Sequence, residues 1–266
     1  MKRMLTILLA LVLLTMSCAL AETLRVGMEC DYAPYNWTQA SESGEALPLA
    51  AGGYADGYDV RIAKKVAEYL GYDVVIVKTV WENLVPELLS GNIDCIIAGM
   101  SPTEERMATI DFTDPYYTSD VVIVVRRDGG YADATSLADF AGAKITGQQA
   151  TFHYDVIDQI EGVNKMPAQD TFSTMIVALS AGDIDGYISE RPGAESAMAT
   201  NPNLTYVAFE TGKGFDASTE DTTIAVGIAK GSELTAKINE ALATISEEER
   251  QQIMLDALGA QPSSAE

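Results

Sequence analysis

The sequence predicts an α/β fold of two lobes, each a mainly parallel sheet flanked by helices, with two strands crossing between the lobes. Short apolar segments, which predict strands, alternate with amphipathic helices in two successive sets along the chain. Beyond an N-terminal leader about 245 residues remain, which is long for one compact core and suits two. We therefore expect a cleft between two separately packed sheets.

The first set follows a βαβαβ order, which implies parallel strands joined by right-handed crossovers. Its elements in chain order are a strand at 24–28, a helix at 59–70, a strand at 74–77, a helix at 82–89 and a strand at 94–98. The helix at 59–70 repeats apolar residues on one face. The segment 41–56, rich in Gly, Ala and Ser, is expected to be a surface loop.

The second set begins at an apolar strand, and two helices close the chain. Its predicted elements are strands at 121–125, 144–146, 184–188 and 204–209, helices at 150–160, 174–181 and 193–199, a further strand at 222–228, and helices at 234–245 and 247–258. We predict a first lobe of residues 22–118 and 222–266 and a second lobe of residues 119–221. The hinge is expected near 117–122 and 216–223.

The first 21 residues have the features of a secretory signal peptide. Lys2 and Arg3 precede an apolar run at 5–14, too short to span a bilayer, and Ala19-Leu20-Ala21 supplies small residues for cleavage. We expect cleavage after Ala21 and export to the periplasm or the outer face of the cell membrane. A lipid anchor at Cys18 stays open as the alternative, although little spacer separates Cys18 from the first strand.

Charge limits the partners of this chain. Asp and Glu number 39 against 17 Lys and Arg, a formal net charge of −22, and loss of Lys2 and Arg3 with the leader makes it more negative. This balance argues against nucleic acid or an anionic membrane as a partner. It gives a mild attraction for cationic solutes.

Disulfide and metal chemistry have little support in the sequence. The predicted mature chain keeps Cys30 and Cys95, whose parallel strands would hold the two Cα atoms farther apart than the roughly 7 Å that a disulfide spans. His153 is the one histidine, and no CxxC pair is present, which argues against a structural zinc site. We expect two free, mostly buried thiols, no metal and no cofactor.

The segment 93–106, IDCIIAGMSPTEER, predicts an anion site. A buried strand ends at Gly99, and Ser101-Pro102 before an acidic turn is a helix-start signal. Free N–H groups at a helix start attract an anion, and the guanidinium of Arg106 offers a two-pronged hydrogen bond to a carboxylate. The alternative is an ordinary strand–loop–helix connection with a solvated arginine.

Other polar and aromatic segments also fall at the predicted carboxyl ends of strands, where open parallel sheets bind their ligands. These segments are 29–35, 80–81, 98–106, 148–153 and Glu190. We expect them to meet in the cleft between the lobes.

Seven segments between about Leu24 and about Leu258 together resemble a known family. They are Tyr32-Ala33-Pro34-Tyr35, Gly57-Tyr58-Asp59-Val60, residues 81–86 (WENLVP), residues 90–94 (SGNID), residues 98–106, residues 111–117 (DFTDPYY) and residues 184–192. In this order and spacing they resemble the type II periplasmic amino-acid-binding proteins of ABC importers, solute-binding protein family 3. The resemblance implies the periplasmic-binding-protein type II fold, hinge closure on a free L-amino acid, and delivery to a membrane permease. We expect a monomer.

The resemblance also implies a clamp for the ligand α-carboxylate. Arg106 would hold the carboxylate, helped by the backbone N–H groups of Ser101 and Thr151 and by the Ser101 hydroxyl. Phe152 replaces a hydroxyl residue that is common in the family, which removes one contact to the carboxylate. His153 beside it is expected at the surface or at a helix N-terminus rather than at the ligand.

The partner of the α-ammonium is implied in the same way. Glu190 falls where the family places an acid for this group, and the Ala98 carbonyl and the Gly99 region would accept the other protons. A zwitterion that loses its water in a closed cleft needs both charges met. The alternative for Glu190 is a helix N-terminal acid, stabilised by the helix dipole before Pro192.

The ligand side chain is expected to meet aromatic and acidic residues. Tyr32 and Trp81 fall where the family stacks aromatic rings on the ligand, although both are also candidates for the core. Glu29, at the end of the first strand, would meet the distal end of the ligand, and Gln148 would bond an amide or a guanidinium. Stacking and cation–π attraction favour arginine, lysine or ornithine, with glutamine next.

The rival function is an enzyme on the same scaffold. Cyclohexadienyl or arogenate dehydratases resemble this family, and Glu190 or Glu29 would then serve as the general acid. A working acid should have a raised pKa and no cationic partner. Because full clamps for carboxylate and ammonium argue for binding, we expect a binding protein and not an enzyme.

Overall fold

Two five-stranded sheets organise residues 21–262, the part of the chain that the computed structural model describes. The predictions of a signal peptide at 1–21, of its cleavage and of an anchor at Cys18 fall on residues 1–20 and their boundary, and so lie outside the described residues. Within 21–262 no helix is both long enough and apolar enough to cross a membrane.

The first-lobe sheet combines the start of the chain with a strand from near its end. Its strands are β1 (Thr23–Met28), β6 (Asp73–Lys78), β7 (Cys95–Ile96), β8 (Asp111–Phe112) and β16 (Gly227–Ile228), in the order β6–β1–β7–β16–β8. β1 pairs in parallel with β6 and β7, whereas β16 is antiparallel to β7 and β8. The predicted βαβαβ start is confirmed.

The second-lobe sheet has the same plan. Its strands are β10 (Val121–Arg126), β11 (Lys144–Thr146), β12 (Asn164–Lys165), β13 (Gly186–Glu190) and β14 (Leu204–Val207), in the order β12–β11–β13–β10–β14. β11 is parallel to β12 and β13, and β10 is antiparallel to β13 and β14. Both sheets are therefore mixed, and the prediction of mainly parallel sheets overstated the parallel share.

Two smaller sheets complete the strands. β2 (Asp31–Tyr32), β3 (Asn36–Gln39), β4 (Leu47–Pro48) and β5 (Tyr54–Asp56) form an antiparallel sheet, and β9 (Tyr117–Thr118) pairs with β15 (Thr223–Ile224). The predicted surface loop at 41–56 is thus wrong where β4 and β5 lie. Pairing with β3 and burial of Ala55 stabilise strands there despite the loop-like composition.

The helices flank the sheets. They are α1 (Tyr58–Leu70), α2 (Leu84–Leu89), α3 (Glu104–Thr109), α4 (Phe152–Asp155), α5 (Phe172–Ala181), α6 (Arg191–Thr200), α7 (Thr219–Thr222), α8 (Leu234–Ala243) and α9 (Glu247–Ala260). Short 3₁₀ turns lie at Trp81–Asn83, Leu137–Phe140 and Val156–Gln159. The single helix predicted at 150–160 is therefore α4 followed by a 3₁₀ turn.

The apolar face of α1 shows how the pattern becomes packing. Val60, Ala63 and Val66 are fully buried, at the 3.6-residue spacing that predicted the helix. The helix begins where the Asp59 N–H donates to the Tyr35 carbonyl at 2.8 Å. This contact ties α1 to the segment that carries Tyr32, and so fixes one wall of the cleft.

Cys30 and Cys95, the two cysteines within residues 21–262, are free and buried, as predicted. Cys95 pairs with Val26 across the parallel strands, whereas Cys30 lies beyond the end of β1, so the thiols are not neighbours. Burial raises the pKa of the Cys30 thiol to about 12. The thiolate that would be reactive or metal-binding is therefore disfavoured at neutral pH.

Candidate functional site

The predicted site residues meet in one network between the lobes. From the first lobe come Glu29, Tyr32, Trp81, Ala98, Gly99, Ser101 and Arg106, and from the second come Gln148, Thr151 and Glu190. Hydrogen bonds cross the cleft from Gln148 to Glu29, from Tyr32 to Glu190 and from Arg106 to the Ala150 carbonyl. The carboxyl ends of β1, β7 and β13 thus face one another.

Arg106 lies at the edge of the cleft with its guanidinium half-buried. It donates to the carbonyls of Ser101 and Ala150, each at 2.9 Å, and stands 5.1 Å from the centre of the Trp81 ring. Burial lowers the pKa of the guanidinium to about 10, so it stays charged at neutral pH. Among residues 21–262 it has no ion-pair partner, which rules out a role in a structural salt bridge there.

The helix that carries Arg106 begins later than predicted. The Thr103 side chain, not Ser101, caps α3, because its hydroxyl accepts the Arg106 N–H at 3.4 Å. The Ser101 hydroxyl instead donates to the Asp221 carbonyl at 2.9 Å. The Thr151 hydroxyl likewise donates to the Gln148 carbonyl at 2.7 Å. Each hydroxyl therefore already donates its proton to a backbone carbonyl, and only its lone pairs remain available for a further hydrogen bond.

Glu190 ends β13 and is 1 % exposed. The Tyr32 hydroxyl donates to one carboxylate oxygen. Burial raises the pKa of Glu190 to about 7. Glu190 is also the N-cap residue of α6, the position that the alternative predicted, although its side chain makes no capping hydrogen bond.

Ala98 and Gly99 lie at the end of the β7 segment, beside the ring of Tyr32. Ala98 is fully buried, and the Gly99 N–H donates to the Tyr116 hydroxyl at 3.2 Å. That hydroxyl donates in turn to the buried Asp59 carboxylate at 2.8 Å. The backbone at the predicted ammonium position is thus held by a buried polar network.

Tyr32 stacks on Phe172 of α5, with ring centres 4.0 Å apart and planes 9° apart. Sequence reasoning did not single out Phe172, because a Phe at the start of an apolar helix is an ordinary core signal. Nearby, the Gln148 amide donates to Glu29 at 3.0 Å. Burial and the neighbouring Asp31 raise the pKa of Glu29 to about 8.

Trp81 packs in the core on one side and faces the cleft on the other. It is 8 % exposed and packs in a small apolar cluster with Leu84 and Ile93. Its ring also faces the Arg106 guanidinium, and its indole N–H approaches the Ala150 carbonyl at 3.5 Å. A core residue on one side is therefore a wall of the cleft on the other.

Of the two positions expected for His153, the surface is wrong and the helix N-terminus is confirmed, because His153 is the second residue of α4. The side chain is 5 % exposed, and its Nε2 is 3.8 Å from Glu190 Oε1. α4 is so short that its first residues point into the cleft, where Phe152 packs on the imidazole at 4.1 Å. Burial, with a contribution from Arg106, lowers the pKa of His153 to about 3.

A cavity of about 1080 Å³ opens between the lobes beyond the Tyr32–Phe172 pair. Its walls include Glu29, Asp31, Glu82 and Asp170, against one cation, Lys78, among the described lining residues. A cavity lined by apolar and acidic side chains suits a ligand with a long, positively charged end.

The whole described fold corresponds to a known family. The model of the bacterial extracellular solute-binding proteins, family 3, matches residues 24–257. The chain belongs to this family. It is 30% identical over 195 residues to a probable histidine-binding protein of Campylobacter jejuni, covering 73% of this chain and 70% of that one. It is 28% identical over 222 residues to the arginine-binding extracellular protein ArtP of Bacillus subtilis, covering 82% and 78%.

A solved structure has the same architecture. An amino acid ABC transporter substrate-binding protein from Streptococcus pneumoniae, bound to L-arginine, superposes with a TM-score of 0.78 at 23% identity, covering 89% of this chain and 94% of that one. The likeness shows the fold of this family 3 member, and with it the two lobes that the sequence predicted.

The buried carboxyls give the protein a predicted pH dependence of stability. Burial raises the pKa of Glu29 to about 8 and those of Asp59 and Glu190 to about 7, well above values in an unfolded chain. The folded state therefore binds more protons than the unfolded state between about pH 8 and pH 5, so acidification across this window raises the free energy of unfolding. His153, whose pKa is lowered from 6.5, makes the folded state less stable at the acidic end of this window. It is a single group, whereas three carboxyls act in the other direction.

Urea unfolding at pH 8.5 and at pH 5.5 measures this effect. We expect a higher midpoint at pH 5.5, and a smaller difference for Glu29→Gln, which removes one of the three carboxyls. Equal midpoints at the two pH values would contradict the buried carboxyls with raised pKa values.

Proposed function

We propose that this family 3 member is the extracytoplasmic substrate-binding component of an ABC amino-acid importer, and that it binds one amino acid between its lobes. The observation that carries the proposal is a pair of opposite charges in one cleft, Arg106 and Glu190. Neither has an oppositely charged side-chain partner among residues 21–262, because the adjacent His153 is neutral. Desolvated charges of this kind need partners, and an α-amino acid supplies one of each sign.

The roles of the cleft residues follow from their positions. We assign the α-carboxylate to Arg106, with the N–H groups of Ser101 and Thr151. The α-ammonium is assigned to Glu190 and the Ala98–Gly99 backbone. Because Tyr32 donates to Glu190 Oε2, the other oxygen, Oε1, is left to accept from the ammonium.

The side-chain end of the ligand is proposed to be cationic. The cavity beyond Tyr32 is lined by Glu29, other acids and Trp81, and the Gln148 amide donates to Glu29. Relatives named as arginine- and histidine-binding proteins fit this chemistry. We favour arginine, lysine or ornithine, with glutamine next.

Closure is proposed to occur about the two connecting segments near 117–122 and 216–223. The described pairing of β9 with β15 lies at the first-lobe end of both segments, where the chain passes between proposed lobes of residues 22–118 with 222–266 and 119–221. A ligand that contacts both lobes stabilises the closed arrangement, which the permease then recognises. We propose export after cleavage behind Ala21, with the mature chain acting as a monomer.

One observation favours a second candidate function. The pKa of Glu190 is raised, and no cationic side chain pairs with it in the described chain, as a general acid would require. A dehydratase that removes water and carbon dioxide from a cyclohexadienyl acid would release phenylalanine from arogenate, or phenylpyruvate from the corresponding keto acid. An assay for these products separates catalysis from binding.

A thermal-shift screen tests the proposed function. The chain 22–266, unfolded and refolded to remove carried ligand, is screened against the twenty amino acids, ornithine and citrulline. A ligand that binds only the folded state at a hundredfold excess over its Kd stabilises it by about 2.7 kcal/mol. We expect the largest shifts with arginine, lysine and ornithine. A shift with no amino acid would contradict binding and direct attention to the dehydratase assay.

Glu29→Gln tests the cationic preference. We expect it to weaken arginine binding about tenfold or more, because the amide cannot neutralise a desolvated guanidinium, and to change citrulline binding little. Glu68→Gln, which changes an exposed acid of α1 outside the cavity lining, is the matched control and should leave both affinities near wild type. Calorimetric titration measures all four combinations. Equal losses for arginine and citrulline would contradict a distal cation at Glu29.

A further inference from the structure

His153 is a buried imidazole whose ring nitrogens make no hydrogen bond within the described chain. Neither ring nitrogen has a hydrogen-bond partner among residues 21–262, although the side chain is only 5 % exposed. The ring centre of Phe152 lies 4.1 Å from that of the imidazole, and the ring centre of Phe172, in an edge-on contact, lies 6.2 Å from it. The ring is therefore held in place by apolar contacts while its nitrogens stay unpaired. Buried polar groups are nearly always paired, so this one requires a partner.

A second unpaired atom faces it. Glu190 Oε1 also lacks a hydrogen-bond partner within the described chain, since the Tyr32 hydroxyl bonds the other oxygen. His153 Nε2 and Glu190 Oε1 are 3.8 Å apart, which is too long for a direct hydrogen bond. The same separation is short enough for one nitrogen atom to contact both.

The imidazole is in the form that accepts hydrogen bonds. Burial and the charge of Arg106 keep the pKa of His153 far below neutrality, so the ring is uncharged at physiological pH. A neutral imidazole has one N–H and one nitrogen with a free lone pair. With the proton on Nδ1, the lone pair of Nε2 points toward Glu190.

We propose that His153 is a specificity-determining residue that accepts a hydrogen bond from the ligand α-ammonium, beside Glu190. The inference rests on the proposed function and deepens it. An ammonium has three N–H donors, and the site then offers three acceptors, namely Glu190 Oε1, His153 Nε2 and the Ala98 carbonyl. Such a site selects primary amines, because an N-methyl group leaves one buried acceptor unpaired.

The test compares L-arginine with Nα-methyl-L-arginine. We expect wild-type protein to favour arginine by about ten- to a hundredfold, and His153→Phe to bind arginine more weakly and lose most of this discrimination. His153→Gln places an amide oxygen near the position of Nε2 and should restore it. If His153→Phe weakens both ligands equally and keeps their ratio, His153 only packs against the site and the inference is wrong.

A measurement on unaltered protein guards against a variant that does not fold. His153 is the only histidine of the chain, so tag-free protein labelled with ¹⁵N-histidine gives the signals of this ring alone. We expect a neutral imidazole whose lone-pair nitrogen signal moves upfield when arginine is added. An imidazolium, or an unmoved nitrogen in protein saturated with arginine, would overturn the inference. If no amino acid binds wild-type protein, it is the proposed function that fails.

Discussion

Arg106→Ala is expected to weaken binding of every L-amino acid by about two to three orders of magnitude. The guanidinium has no ion-pair partner within the described chain, and the ligand carboxylate would lose both prongs of its hydrogen bond. Removing one partner of a desolvated charge pair costs about 3–5 kcal/mol, because the other charge stays buried and unpaired. Calorimetric titration with the best ligand of the screen measures the loss.

Two further variants separate the charge from its geometry. Arg106→Lys keeps the charge but not the planar fork, so we expect an intermediate affinity. Arg127→Ala removes an exposed arginine that donates to the Pro202 carbonyl, and it should bind as wild type. Thermal unfolding shows whether each variant is folded. An Arg106→Ala protein that is folded and binds with unchanged affinity would end the carboxylate assignment.

Gly57→Ala is expected to cost about 3 kcal/mol or more of folding stability, or to prevent folding. Gly57 precedes α1 with φ +133°, a conformation that residues with a Cβ avoid. An added Cβ would lie 2.3 Å from the Tyr35 carbonyl oxygen, which accepts the Asp59 N–H. Relieving the clash would break the start of α1 and move the segment that carries Tyr32.

Gly71→Ala is the matched control at the other end of α1. Gly71 also has a positive φ, +71°, but an added Cβ would meet no atom within 4 Å. We expect a loss of about 1 kcal/mol from the left-handed conformation alone. Urea unfolding of the two variants measures the difference. Equal losses would show that backbone strain, and not the contact with Tyr35, governs Gly57.

Much of the fold was predictable because its signals are local. The apolar spacing of α1 and the apolar run of β10 predicted those elements within one or two residues. Strands that are shorter than predicted, such as β7, lie where the chain turns into the cleft. β4 and β5 were missed because pairing of β5 with β3 and of β4 with β5, not composition, stabilises them.

The site was predictable where a side chain acts near its own element. Arg106 lies in the first turn of the helix that follows β7, and this order of strand, helix start and arginine is visible in the sequence. The contact of Tyr32 with Glu190 joins residues 158 positions apart, and no local pattern reports it. His153 and Phe172 enter the cleft for the same reason, since the packing of the two lobes, and not their own segments, buries them.

A crystal structure of the chain 22–266 with bound arginine tests the central claim most directly. We predict the ligand between the lobes, its carboxylate hydrogen-bonded to the Arg106 guanidinium and its ammonium between Glu190 and His153. The ligand guanidinium should extend past Tyr32 toward Glu29. Arginine bound outside the cleft, or bound there with its carboxylate away from Arg106, would contradict the proposed binding mode.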